Sequence, residues 1–156
     1  MAARISAATA TADRELVIVR VFDAPRRLVF KAWTQPEMLA RWWGPRDFTL
    51  PSCKMDFRPG GAYRFLMRAP DGDHRLVGVY REIVEPERLA FTFAWEDADG
   101  NVGPETLVTI TLAEQATGTK LTLHQAVFEA VTERDMHNTG WSEALDRLAA
   151  YLAHTA

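Results

Sequence analysis

The amino-acid sequence predicts an α+β fold, in which a strongly curved antiparallel sheet of about seven strands wraps round a long C-terminal helix. Residues 15–22 form a β-favouring run, apolar and polar residues alternate between turn signals from residue 48 to residue 125, and residues 132–152 return to helical spacing. Consecutive hairpins followed by a helix cannot make a parallel doubly wound sheet. The helix is therefore expected to pack into the concave face of an antiparallel one.

Length and composition indicate a single domain over residues 14–156, preceded by a flexible, Ala- and Thr-rich tail over residues 1–13. Hydrophobic residues make up 47% and charged residues 25%, enough for a core without disulfide or metal. A net charge of -3 argues against nucleic-acid binding, and no apolar run is long enough to span a membrane. Cys53 is the single cysteine, which favours a reducing compartment, so we expect a cytoplasmic protein.

Two short helices are predicted after the first strand. Asp23 and Pro25 suit the start of the first helix, which carries Trp33 on its apolar side. The second begins near Pro36, includes the pair at residues 42–43, and is expected to end at residues 44–45. Both helices would close one end of the sheet.

The central region reads as a series of hairpins. Residues 63, 65 and 67 share one face of a strand, and residues 89, 91, 93 and 95 share one face of another. Gly78 falls in mid-strand, which indicates a bulge or a sharp bend, with room for a ligand as the alternative. The turns are expected at residues 58–61, 70–73, 85–87, 96–105 and 117–118.

The C-terminal helix carries one apolar stripe. Trp141, Leu145, Leu148 and Leu152 recur at helical spacing, and His137 lies one turn earlier on the same stripe. Gly140 interrupts the helix beside this stripe, although glycine costs about 1 kcal/mol relative to alanine there. The position therefore indicates a need for close approach or for space.

Several local motifs stand out along residues 15–152. They are residues 20–25 (RVFDAP), 29–34 (VFKAWT), 42–45 (WWGP), 56–61 (DFRPGG), 86–89 (PERL), 91–93 (FTF) and 118–121 (GTKL), with Gly140-Trp141 and Leu145. Together with the order of elements, these motifs resemble the SRPBCC superfamily of START-like, birch-pollen-allergen-like helix-grip proteins. Within it, the sequence is most similar to a bacterial branch related to the Aha-type activators of the heat-shock chaperone ATPase.

This resemblance implies a cavity between the sheet and the C-terminal helix that takes a small hydrophobic or amphipathic ligand. Aromatic and methionine side chains are the candidate lining, while a solid core is the alternative reading of the same residues. The candidate ligand-binding set is Trp42, Met55, Phe57, Tyr63, Phe65, Met67, Phe91, Phe93, Trp95, His137 and Trp141.

Three functions stay open at this point. The first is a binding module, monomer or homodimer, with no catalytic residue, no cofactor and no metal, because metal-ligand spacings such as His-x-x-x-His do not occur in the sequence. The second is a cyclase, aromatase or hydrolase, which would need polar groups converging in the cavity; His137, Tyr63 and Glu82 are the candidates. The third is a chaperone ATPase co-factor that acts through its outer surface.

Overall fold

In the computed structural model, which describes residues 13–155, the elements follow the predicted order of one strand, two short helices, six strands and a long helix. Most of the predicted N-terminal tail therefore lies outside the described residues. The elements are β1 (Leu16–Phe22), α1 (Arg26–Thr34), α2 (Pro36–Leu39), β2 (Thr49–Met55), β3 (Ala62–Ala69), β4 (Gly72–Val84), β5 (Arg88–Glu96), β6 (Thr106–Gln115), β7 (Gly118–Ala126) and α3 (Val131–Thr155).

The seven strands form one sheet in the order β1-β7-β6-β5-β4-β3-β2, with every neighbouring pair antiparallel. Strands β2 to β7 are joined in sequence by hairpins, and β1 returns to pair with β7, so that Ile18 lies opposite Leu123. The sheet curves round α3. The predicted α+β helix-grip fold is confirmed.

The second short helix is shorter than the sequence predicts. It ends at Leu39, and Trp42 and Trp43 follow in turns rather than in the helix. Gly44 then takes a positive φ of 96°, a conformation that glycine adopts without strain, and β2 begins at Thr49. The expected cap on α1 is also absent, because Pro25 takes the cap position without a side-chain hydrogen bond.

Gly78 leaves room for the Tyr63 side chain to reach from β3 across β4 to the backbone of β5. A Cβ added there would lie 2.0 Å from the backbone oxygen of Thr92 and 2.5 Å from the ring of Tyr63. The Tyr63 hydroxyl donates a 2.5 Å hydrogen bond to the same oxygen, and the pairing of β4 with β5 shifts register between Tyr80 and Glu82. The predicted irregularity is thus at residues 80–82 rather than at Gly78, where the pairing is regular and the Tyr63 ring fills the space that a side chain would occupy.

The apolar stripe of α3 is buried against the sheet. Leu145, Leu148 and Leu152 are almost inaccessible to solvent, and Trp141 is buried one turn earlier. Helices α1 and α2 add Phe30, Trp33 and Leu39 to the same core. Within residues 13–155, no helix is long and apolar enough to cross a membrane.

Candidate functional site

A cleft of about 320 Å³ lies at the end of the sheet that faces the N-terminal half of α3. Three regions form its walls: the first turns of α3, strands β3 to β5, and the loop between α2 and β2. The lining residues are Trp43, Gly44, Pro45, Phe48, Met67, His74, Phe93, Trp95, Met136, His137, Gly140, Trp141 and Ala144.

Small residues on α3 leave the space for the cleft. Gly140 and Ala144 face it at helical spacing, between the larger side chains of the stripe. The nearest atom to a Cβ added at Gly140 would be Cγ of Pro45, at 3.4 Å, an ordinary contact distance. The loop wall and the helix are therefore separated by little more than one methyl group at this point.

Arg147 ties the loop wall to α3. Its Nη1 atom donates to the backbone oxygens of Trp43, Gly44 and Pro45 at 3.0–3.1 Å, and the backbone N–H of Arg46 donates to Glu143 at 2.9 Å. Burial lowers the pKa of Arg147 from its ordinary value. The three carbonyl oxygens supply polar partners for a charge held partly out of water.

The floor of the cleft is held by a buried hydrogen-bond chain. Trp141 Nε1 donates to Gln125 at 2.7 Å, Gln125 Nε2 donates to the Thr106 hydroxyl at 2.8 Å, and that hydroxyl donates to the backbone oxygen of Phe93 at 3.3 Å. Gln125 is completely buried. Because the indole N–H is satisfied beneath the floor, Trp141 presents only apolar ring surface to the cleft.

Sequence reasoning missed Gln125, although a signal was present. The residue lies in phase with the buried Leu121 and Leu123 of β7, and a polar amide at an inward position needs a partner. That partner is the indole of Trp141, and its hydrogen bond keeps the ring in place.

His137 and Trp95 form the polar contact of the cleft wall. Trp95 Nε1 donates to His137 Nε2 at 3.2 Å, and His137 Nδ1 lies 2.9 Å from the backbone oxygen of Glu133. An indole nitrogen only donates and a carbonyl oxygen only accepts, so this arrangement requires the neutral imidazole with its proton on Nδ1. The ring also packs on Phe93 and Phe128, with centroids 5.6 and 4.9 Å away.

Burial lowers the pKa of His137 below its ordinary value, while the carbonyl and the charge of Glu133 act in the opposite direction. Burial is the larger influence because the imidazolium form would lose water among aromatic rings. The neutral form therefore dominates near neutral pH, in agreement with the hydrogen bond that it accepts from Trp95.

His74 forms part of the opposite wall. Its ring packs against Phe48 and Trp95, with centroids 5.6 and 6.3 Å away, and its Nε2 atom lies 3.2 Å from a carboxylate oxygen of Asp71. This side chain thus has its own polar partner outside the cleft.

The structure separates the predicted ligand-binding residues into two groups. Five of them, Met67, Phe93, Trp95, His137 and Trp141, line the cleft together. The other six do not, and are Trp42, Met55, Phe57, Tyr63, Phe65 and Phe91.

Four residues of this second group, Trp42, Tyr63, Phe65 and Phe91, belong to a closed half of the interior, beneath α1 and α2, while Met55 and Phe57 are half-buried and pack against it. Trp42 is fully buried and donates to the backbone oxygen of Ala32 at 3.0 Å. Burial raises the pKa of Tyr63 well above its ordinary value, and its hydroxyl donates to Thr92. The gap left between Trp33, Tyr63 and their neighbours is about 10 Å³, about the volume of one water-sized probe.

The polar residues proposed for an enzyme do not converge. The Tyr63 hydroxyl is bonded in the closed half, and Glu82 pairs with Arg88 at 3.1 Å with both side chains about half exposed. Of these three polar candidates, only His137 lines the cleft. Among the described residues, no group of three or more His, Cys, Asp or Glu side chains is placed to hold a metal ion.

Cys53 is half-buried beside the core rather than fully buried. Burial, with a smaller contribution from the charge of Glu37, raises the pKa of its thiol to about 12. The thiolate form, which is the nucleophile, is therefore scarce near neutral pH.

The curved sheet, the gripped helix and the apolar cleft define the chain as a START-like α+β domain. Residues 23–153 match the family described as activator of Hsp90 ATPase homolog 1-like protein, and the chain belongs to this family. No curated protein matches the chain significantly.

Solved structures of bacterial proteins share the fold over nearly the whole chain. A protein from Chromobacterium violaceum is 31% identical with a TM-score of 0.79, over 89% of this chain and 96% of that chain. The AHSA1 protein from Silicibacter pomeroyi is 25% identical with a TM-score of 0.82, over 91% and 99%. A protein from Arthrobacter aurescens is 27% identical with a TM-score of 0.80, over 92% and 88%.

Proposed function

We propose that the protein binds a small hydrophobic or amphipathic molecule in the cleft. The observation that carries this proposal is an opening of about 320 Å³ whose lining is mostly aromatic, methionine, glycine and proline residues. Ligand sites in proteins are commonly concave and apolar, with volumes from about 300 Å³ upwards. We expect the protein to act in the cytoplasm as a monomer or homodimer.

The hydrogen bonds around the cleft support an apolar ligand. The indole N–H of Trp141 is taken by Gln125, and Arg147 donates to the carbonyl oxygens of the loop wall. A ligand therefore does not have to compete for strongly polar groups, and affinity comes chiefly from buried apolar area.

The size of the cleft limits the ligand to about two fused rings or a short chain. An aromatic group of this size buries about 200 Å². At about 25 cal/mol per Å², the gross gain is about 5 kcal/mol, before the cost of immobilising the ligand. We therefore expect weak affinity, with a dissociation constant of about a millimolar.

Isothermal titration calorimetry and the melting temperature of the protein measure the occupancy of the cleft. We expect naphthalene or indole to release heat on binding and to raise the melting temperature of the protein. The variant Gly140→Leu, which places a side chain in the cleft, should weaken binding at least about tenfold, which is a loss of about 1.4 kcal/mol.

Ala150→Leu is the matched control, because Ala150 is exposed on the same helix and does not line the cleft. It should bind the probes like the wild type. A folded Gly140→Leu protein with undiminished affinity, or a wild type that binds neither probe, would contradict the proposal.

A second candidate function is stimulation of a chaperone ATPase through the outer surface, which the family match favours. Val17, Val19 and Val21 form an exposed apolar row on β1 that suits such a contact. The test is the ATP hydrolysis rate of Hsp90 with and without the protein. A rate increase that Val19→Asp removes and Gly140→Leu leaves intact would favour this function over ligand binding.

A further inference from the structure

The Trp95–His137 pair places one hydrogen-bond donor beside one acceptor in an otherwise apolar wall. Nε1 of Trp95 donates, and Nε2 of His137 accepts because its other nitrogen is held by the Glu133 carbonyl. The two nitrogens are 3.2 Å apart, at the long end of the range for a hydrogen bond. Trp95 is 36% exposed, so its side chain is not enclosed on all sides.

From this arrangement we infer that the ligand is a hydroxylated aromatic molecule, a phenol, whose hydroxyl group inserts between Trp95 Nε1 and His137 Nε2. The hydroxyl oxygen accepts from the indole N–H, and the hydroxyl proton is donated to the imidazole. One protein–protein hydrogen bond is exchanged for two with the ligand, and both nitrogens stay satisfied. This inference rests on the proposed function, since it concerns the same cleft.

Other polar groups fit the pair less well. A ketone, an ether or a carboxylate only accepts, so it satisfies Trp95 and leaves the lone pair of His137 without a donor. An ammonium group only donates, so it satisfies His137 and leaves the indole N–H without an acceptor. A hydroxyl group both donates and accepts, and it therefore matches both partners.

The remaining walls select an aromatic ring with a single polar substituent. Phe93, Trp43 and Trp141 line the cleft, and the Trp141 ring is inclined by 83° to that of Trp43 and by 50° to that of Phe93. Perpendicular and tilted ring contacts of this kind are favourable for an additional ring. The other polar side chain of the lining, His74, is paired with Asp71.

The environment of His137 keeps its Nε2 atom unprotonated and able to accept a hydrogen bond from the ligand. The neighbours of its ring on β5 and before α3 are Phe93, Trp95 and Phe128, which are uncharged, and Glu133 on its own helix is the acidic group that acts on it. Burial keeps the imidazole neutral near neutral pH, and the neutral ring is the form that a phenol proton can bond to.

The test compares 2-naphthol with naphthalene and with 2-methoxynaphthalene, which cannot donate. Titrations followed by isothermal calorimetry should give 2-naphthol the tightest binding, by about tenfold, because two hydrogen bonds replace one. His137→Phe should reduce 2-naphthol to the affinity of naphthalene. Trp95→Phe, which keeps a ring and removes the N–H, should reduce the preference partially.

His124→Phe is the matched control, since His124 pairs with Glu15 and does not line the cleft. It should keep the full preference for 2-naphthol. If naphthalene binds the wild type as tightly as 2-naphthol does, the phenol inference is overturned and the proposed function stands. If none of the three probes binds, the proposed function fails, and the inference fails with it.

Discussion

The closed half of the interior and the cleft are both built from aromatic side chains, yet one is solid and the other is open. Below α1 and α2, the rings of Trp33, Trp42 and Tyr63 meet other rings and leave a gap of only about 10 Å³. Around Phe93 and Trp141 about 320 Å³ remains open. Aromatic content therefore does not distinguish a core from a binding site.

What separates the two regions is the size of the side chains that face the rings. Around the small gap of the closed half, the short helices contribute Trp33 and Leu39, and β5 contributes Leu89 and Phe91. At the cleft, α3 contributes Gly140 and Ala144. A cavity arises where small residues face large ones and no further element fills the gap between them.

The largest expected effect is that of Gly78→Ala in the closed half. The new Cβ would overlap the backbone oxygen of Thr92 and the ring of Tyr63. We expect a loss of about 3 kcal/mol in the free energy of unfolding, measured by urea denaturation. Gly103→Ala is the control, because its nearest neighbour would be 3.5 Å away and little change is expected. Equal stabilities of the two variants would mean that the closed half is not tightly packed.

At the cleft, replacing glycine by alanine should stabilise the protein instead of destabilising it. Gly140→Ala replaces a glycine in the interior of α3, and the new methyl group makes ordinary contact with Pro45. The gain in helix propensity should raise the free energy of unfolding by about 1 kcal/mol. A destabilised Gly140→Ala protein would show that the cleft has no spare volume beside the helix.

The smallest effect is a pH dependence that His137 adds to stability. Since burial lowers its pKa in the folded state, the unfolded chain takes up the proton first as the pH falls. The neutral His137 ring contributes fully to the free energy of unfolding when the pH is above the ordinary histidine pKa. This contribution is lost as the pH falls from that value through the lower pKa of the folded state. Between about pH 7.5 and about pH 5.5, the melting temperature of the wild type should therefore fall further than that of His137→Phe. Parallel decreases would indicate that the imidazole is not held neutral in the cleft wall.

Much of the fold could be predicted from periodicity and turn chemistry. Alternation along residues 63–67 predicted a strand with one buried face, and the spacing of Trp141, Leu145, Leu148 and Leu152 predicted the buried stripe of α3. The end of α2 was predicted too late, because Trp42 and Trp43 have the composition of a helix, whereas the chain after Leu39 continues in turns with i→i−3 hydrogen bonds such as that from Trp42 to Leu39.

The site was harder to predict because its parts come from distant segments. Phe48 and His74 were not among the predicted residues, and neither lies on the apolar pattern of a strand face or helix stripe. They reach the cleft because the loop between α2 and β2 is tied to α3 by Arg147 and because β4 runs beside β5. Such contacts depend on the pairing of residues that are far apart in the sequence.

By itself the sequence determined the order of the elements, the faces that they bury and the positions where glycine was required. These properties depend on local backbone preference and on the spacing of apolar residues, which are readable along the chain. Only the tertiary structure decided which aromatic rings fill the core and which line a cleft. That outcome depends on the volume facing each ring, and the volume is set by side chains that the fold brings from elsewhere in the chain.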